Sequence, residues 1–234
     1  MRFLLCLNVC WGILGVEVDL IKRKDARKII DELLCYDLSK GREIGTWYKF
    51  HNHVYGVALL CEKIAKKIGL NSRRAYIFGL LHDAGKIEET YVNRYHGIIG
   101  YEKFKDIDKE LAGVCITHSF YNNVIPDDNE FDRYFFKNEK DREFVRAYLL
   151  NNVVSEYERL VQLCDCLVNC NGLVKFEDRV EEFEKRYKMK VPEHMYKGGT
   201  ELKKYFDDKL GFDLYELYDE ICSDYMIKEG KDKK

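Results

Sequence analysis

The densest group of chemically useful side chains lies in Leu80-Leu81-His82-Asp83-Ala84-Gly85-Lys86. An imidazole and a carboxylate stand side by side there, at the end of the apolar run Ala75-Tyr76-Ile77-Phe78-Gly79. Neighbours on a continuous helix point roughly 100° apart, so these two converge on one object only where a helix ends or bends. Gly85 lets the chain turn sharply at that point. A His–Asp pair suits a divalent ion such as Fe, Mn, Zn, Co or Ni. The dipeptide alone fits a helix cap or a surface pair equally well.

Four more residues carry ligand-type side chains, and three of them sit where an apolar stripe calls for leucine. His53 shares a stripe with Val57, Leu60 and Ile64 on a helix expected over His51–Ile68 and ended by Gly69. His51, two positions away, points elsewhere. His118 follows Leu111, Val114 and Cys115 at helical spacing on a helix over about 107–119. Asp165 shares a face with Val161, Cys164 and Val168 on a helix over about 155–171. His96 lies on a helix over about 92–105, with Ile99 and Gly100 three and four residues on, so that one side is small. A lone histidine on such a face fits a hydrogen-bonded core residue as well as a ligand. A carboxylate there needs a cation, a metal or several donors; an Asp–Arg pair or a helix kink is the other reading of Asp165.

The elements that must position these groups read as helices. The first is expected over 19–37, broken at Ser39-Lys40-Gly41, and a connector with Trp47, Tyr48 and Phe50 follows over 42–50. Asn71 or Ser72 caps the helix that delivers His82 and Asp83. After the polar turn Glu88-Glu89-Thr90, residues 120–137 form an irregular stretch whose aromatics suggest a folded lid. Helices over about 139–150 and 175–188 precede Pro192 and a surface-type His194. Thr200 starts another helix after Gly198-Gly199, ending near Gly211, and Leu214, Leu217 and Ile221 mark a last amphipathic segment. Lys228–Lys234 reads as a solvated end.

Composition bounds the class. The 234 residues are 46% hydrophobic and 34% charged, enough apolar material for one large domain. Two prolines, Pro126 and Pro192, favour long helices. A net charge of -2 offers no broad electrostatic footprint for nucleic acid. The nine cysteines are odd in number and form no Cys-x-x-Cys pair, which reads as free thiols in a reducing cytosol. The Cys164, Cys166 and Cys170 spacing matches no common zinc site. Met1-Arg2 followed by the apolar run to Val16 is too short to span a bilayer with confidence and has a poor cleavage pattern for a signal peptide. Translation starting near Val16 or Val18 is the other reading. Residues 1–18 are therefore expected to lie outside the fold, and the protein to be cytoplasmic with no membrane partner. No Gly-rich phosphate loop and no nucleophile elbow occurs.

The order His53, His82-Asp83, His96, His118, Asp165 resembles the HD superfamily of metal-dependent phosphohydrolases. The local wording agrees: His53-x-x-x-Val57-Ala58, then Leu80 to Lys86, then Leu163-Cys164-Asp165. The resemblance covers about residues 45–172 and implies an all-α helical bundle with the metal site at its centre. On that basis the HD domain spans 19–175, and residues 176–234 form C-terminal helices packed on the same domain. The resemblance implies that His53, His82, Asp83 and Asp165 ligate one ion. In the two-metal branch, which the His96-x-x-x-Gly100 and Thr117-His118 contexts favour, Asp83 bridges and His96 and His118 hold a second ion. The chain carries His118-Ser119 where many two-metal members have paired histidines. It also lacks the Gly-Tyr-Pro signature of cyclic-di-GMP enzymes and the Glu-Asp that follows the His-Asp of alarmone hydrolases.

The activity implied is hydrolysis of a phosphomonoester or phosphodiester, with a nucleotide as the expected substrate. A metal-activated water attacks, Asp83 takes part as ligand and acceptor of the water proton, and Lys86 reaches the phosphate. The alternatives are an HD-fold di-iron oxygenase, which uses the same six ligands, and a non-enzymatic, metal-stabilised nucleotide-binding module.

Overall fold

The computed structural model describes residues 21–39, 44–87, 94–124, 136 and 138–226. The expectations for residues 1–18, for the turn Glu88-Glu89-Thr90, for most of the 120–137 stretch and for Lys228–Lys234 lie outside the described residues. Within them the chain is all-α: α1 Arg23–Ser39, α2 Ile44–Ile68, α3 Ser72–Leu81, α4 His96–Phe104, α5 Lys109–Thr117, α6 Glu139–Asn151, α7 Glu156–Cys166, α8 Phe176–Tyr187 and α9 Glu193–Leu210. A two-residue hairpin interrupts the helices, β1 Val168–Asn169 paired antiparallel with β2 Gly172–Leu173. No helix of the described residues is long and apolar enough to cross a membrane.

The helix ends follow local chemistry. Asn71 caps α3 by accepting from Arg74 N, and Asp108 caps α5 by accepting from the amides of Glu110 and Leu111. Ser155 and Glu158 form a reciprocal capping box on α7. Gly69 takes φ +80° just past the end of α2, where a side chain would be strained.

One continuous core joins α1, α2, α3, α5, α7 and the C-terminal helices. Leu60, Ile64, Phe78, Leu80, Val161, Phe176, Leu202 and Phe206 all belong to it. A smaller cluster of Tyr95, Ile98, Ile116, Phe120, Val145 and Leu149 lies beside it under α6. The helix pairs that matter most approach closely through glycine. A Cβ on Gly79 of α3 would stand 2.9 Å from Ala58 Cα of α2, and one on Gly100 of α4 would stand 2.8 Å from Cys115 Cβ of α5.

Several expected boundaries move. The helix carrying His53 starts at Ile44 rather than His51, so 44–50 is its first two turns and not a connector. No proline interrupts that stretch, and Tyr48 and Phe50 are half-buried side chains on a continuing helix. The helix expected over 155–171 stops at Cys166 and gives way to the hairpin. Gly198-Gly199 lies inside α9, which begins at Glu193 after Pro192. These glycines are packing contacts rather than breakers: a Cβ on Gly198 would meet Tyr121 at 2.9 Å, and one on Gly199 would meet the Phe176 ring at 2.3 Å. His194 is half-buried on the first turn of α9 rather than at the surface. The thiols of Cys61, Cys115, Cys164 and Cys166 are buried and free, whereas Cys35 and Cys222 are exposed.

Candidate metal centre

Six side chains from three helices and the ends of two others meet at the centre of the bundle. His53 comes from the middle of α2. His82 is the C-cap of α3, and Asp83 follows it where the helix ends. His96 opens α4, His118 is the C-cap of α5, and Asp165 lies in the last turn of α7.

The two carboxylate oxygens of Asp83 face different histidine pairs. Oδ1 lies 3.2 Å from His96 Nε2 and 3.3 Å from His118 Nε2. Oδ2 lies 3.6 Å from His53 Nε2 and 3.5 Å from His82 Nε2. Asp165 Oδ1 completes the second group, 3.0 Å from His53 Nε2 and 3.5 Å from His82 Nε2. The result is two donor sets, His53/His82/Asp165 and Asp83/His96/His118, each with ligand atoms within 4.8 Å of one another.

Backbone carbonyls set the ring orientations. His53 Nδ1 pairs with Val168 O at 3.1 Å, His82 Nδ1 with Gly79 O at 2.7 Å, and His118 Nδ1 with Cys115 O at 2.8 Å. A carbonyl only accepts, so each Nδ1 must carry the proton, and each Nε2 presents its lone pair to the centre. Sequence patterns do not show these partners, because they are backbone atoms.

Glycines bring the second donor set together. A Cβ on Gly85 would stand 2.0 Å from His96 O, and one on Gly97 would stand 2.7 Å from Cys115 O. Gly85 takes no positive φ. Its role is therefore to let the turn at Ala84–Ile87 touch α4 rather than to supply a left-handed backbone. With that contact and the Gly100–Cys115 crossing in place, His96 Nε2 and His118 Nε2 come to 2.9 Å.

The electrostatics suit cation binding. Burial works against ionisation of Asp83, but Lys86 and then His82 outweigh it and hold the carboxyl well below its usual range. Burial likewise opposes charge on Asp165, and His53 and His82 hold that carboxyl low. Burial lowers His53, and burial with the nearby Lys86 charge takes His96 down to about 3. His82 alone among these three is raised: burial opposes its proton, but Asp83 and then Asp165 outweigh that.

The donor chemistry fits a divalent ion. His82 Nε2 and Asp83 Oδ1 are buried without any hydrogen-bond partner, one in each donor set. Two orphaned groups of this kind are costly in a closed core unless a ligand satisfies them. Donors about 2.1 Å from a shared ion at tetrahedral or octahedral angles stand ~3.0–3.4 Å apart. The separations around Asp83 and Asp165 lie at or near that range.

Lys86 Nζ lies 2.5 Å from Asp83 Oδ2, so its ammonium sits on the central carboxylate. His51 stays outside the cluster, stacked on Tyr55 with ring centroids 4.3 Å apart. Tyr95 packs against the second set, its ring 4.8 Å from His96 and 6.5 Å from His118. Phe120 and Phe136, near the two ends of the 120–137 stretch, pack on Tyr95 in turn.

The chain is similar to ribonuclease Y of Geobacter metallireducens, Geobacter sulfurreducens and Geotalea uraniireducens, 34% identical over 71 residues in each case. Those matches cover 29% of this chain and only 14% of each relative, so most of each relative has no counterpart in the match. No solved structure matches significantly. The HD domain family model matches residues 50–170, which run from α2 to just past Asp165 and take in all six ligand-type residues. That family consists in general of metal-dependent phosphohydrolases that bind divalent ions. With its all-α bundle, its central His/Asp cluster and a family match over more than half its length, the chain belongs to the HD domain family.

Proposed function

We propose that this protein hydrolyses a phosphomonoester or phosphodiester, with a nucleotide as the substrate class, using two divalent ions. The observation that carries the reading is the division of Asp83, with one oxygen facing His96 and His118 and the other facing His53 and His82. In this reading His53, His82, Asp83 and Asp165 hold one ion. Asp83, His96 and His118 would hold the other, with Asp83 facing both sets. Residues 176–234 belong to the same functional unit as the HD domain.

Ions so held supply an acidified water near neutral pH and charge stabilisation on the phosphoryl oxygens. The protein's own groups do the rest. The carbonyls of Val168, Gly79 and Cys115 keep three imidazoles in the ligating tautomer. Asp83, held ionised by its surroundings, serves better as a ligand than as an acceptor of the water proton. Lys86 balances the Asp83 charge, and its ammonium would be available to a substrate phosphate if metal ions neutralised that carboxylate.

The likeness to ribonuclease Y favours a second reading, in which the phosphodiester belongs to RNA. A panel of phosphomonoesters, cyclic and linear dinucleotides and short RNA, assayed with the Mn²⁺-loaded protein, separates the two. Turnover of any of these that is abolished in Asp83→Ala supports hydrolysis. Zero turnover on all of them by fully metal-loaded protein, with oxygen uptake in the iron form, overturns it.

A further inference from the structure

The six ligand-type residues are not equally covered. The side chains of His82, Asp83 and His118 are 0–1% exposed, whereas Asp165 is 22% and Lys86 34% exposed. A substrate therefore reaches the centre along the edge marked by Asp165 and Lys86. On the Lys86 side that edge already carries a cation. A second cation comes from outside the residues matched by the family.

That cation is Arg179, in the first turn of α8. Its Nη1 donates to Glu182 Oε2 at 3.0 Å, and the same oxygen accepts from Asn169 Nδ2 at 3.2 Å. Asn169 follows Val168, whose carbonyl orients His53. Arg179 is thus tied to the hairpin that also positions a ligand of the site. Its side chain is three-quarters covered. Burial opposes its charge, and Asp165, ahead even of Glu182, works to keep it protonated. Yet among the described residues it forms no ion pair with Asp165 within 4 Å; its one ion-pair partner is Glu182.

An arginine serving only to neutralise a buried aspartate would close onto it. Here Glu182 holds the guanidinium back, within the field of Asp165 but short of contact, and engages only Nη1. The fork of donors that remains suits a tetrahedral oxyanion. We propose that Arg179 is a substrate-binding residue that grips a phosphate oxygen near Asp165. This rests on the phosphoester reading above and assigns a substrate contact to α8.

The test uses full-length Mn²⁺-loaded wild type, Arg179→Gln and Arg179→Lys. Metal content, KM and kcat for the best substrate of the panel, and the inhibition constant of inorganic phosphate are measured together. In Arg179→Gln, KM and the phosphate inhibition constant should both rise about 10- to 100-fold, as expected for losing a charged hydrogen bond. The metal content should stay at the wild-type level and kcat should change less than KM. Arg179→Lys, which keeps the charge but not the fork, should fall between; it also carries the test if the glutamine variant does not fold. Unchanged KM and phosphate inhibition in a folded, metal-loaded, active Arg179 variant would overturn the assignment and leave phosphoester hydrolysis standing. A metal-loaded wild type that neither turns over phosphoesters nor binds phosphate overturns both.

Discussion

Gly85→Ala should break half of the metal centre while leaving the other half in place. The added Cβ would lie 2.0 Å from the His96 carbonyl oxygen, 2.9 Å from Gly100 N and 3.0 Å from His96 C. These are backbone atoms at the start of α4, so no flexible side chain can give way. Carbon atoms of real side chains do not come closer than 3.0 Å to such neighbours, so the turn at Ala84–Ile87 and α4 must part by about 1 Å. His96 rides on that movement. A metal site tolerates about 0.2 Å in its ligand distances. A shift of this size should weaken the ion held by Asp83, His96 and His118 by at least about 100-fold, the upper end of the loss seen when only a supporting group is removed. The overpacking should also cost about 1–3 kcal/mol of stability in the metal-free protein. Metal titration followed by elemental analysis, with urea unfolding of the metal-free form, reads both. Gly69→Ala is the control: Gly69 has φ +80° but no neighbour within 4 Å, so its alanine should cost about 1 kcal/mol in strain and leave metal binding alone. Full, wild-type-strength binding of both ions by Gly85→Ala, with an unchanged urea midpoint, would refute the packing argument.

Other expectations follow from the same geometry. Lys86→Met removes the charge that most offsets the burial of Asp83. The metal-free variant should lose about 1–2 kcal/mol, and saturating Mn²⁺ should raise its melting temperature more than it raises that of wild type; equal shifts in the two proteins would contradict this. Acidification should empty the two donor sets in order. Histidine binds metal through its neutral form, and a raised pKa means proton uptake begins at higher pH. His82 is raised while His53 and His96 are lowered, so falling pH should release the ion of the His53/His82/Asp165 set first. Simultaneous loss of both ions across a pH titration of metal content would count against it. Arg74→Met tests the support for α5. Arg74 bonds Asp108 and Glu110 at 3.0 Å each from a buried position, and its loss leaves the buried Asp108 cap without its counter-charge. Urea unfolding should show a loss of about 3 kcal/mol, the low end for a broken buried pair because two backbone amides still hold Asp108. A loss under half a kilocalorie would show that those amides suffice.

The helical class could be read from the chain's periodicity, and His53, His118 and Asp165 stood out because each replaces an apolar residue on a periodic stripe. His118 after Leu111, Val114 and Cys115 is such a case, and Asp165 beside Val161 and Cys164 is another. The reasons these residues meet were less legible. Gly85, Gly198 and Gly199 look like breakers in a sequence, yet each is a point of close approach whose partner lies far along the chain. The hairpin at 168–173 was missed because two-residue strands leave no periodicity, although it supplies the carbonyl that orients His53. Arg179 sits in a charged helical stretch where one more arginine looks solvated. Only the fold brings it under the influence of Asp165. The start of α2 at Ile44 was misplaced because aromatic residues without a strict stripe resemble a connector.

In the proposed centre Asp83 serves two ions. The most direct test is elemental analysis of protein purified without added metal or chelator in low oxygen, repeated after reconstitution, for wild type and Asp83→Ala. The account predicts about two equivalents of divalent metal in wild type, as in other two-metal centres, and loss of both from the variant because its carboxylate serves both donor sets. Wild type that holds no metal even after reconstitution, or an Asp83→Ala protein that keeps the full complement, would contradict it.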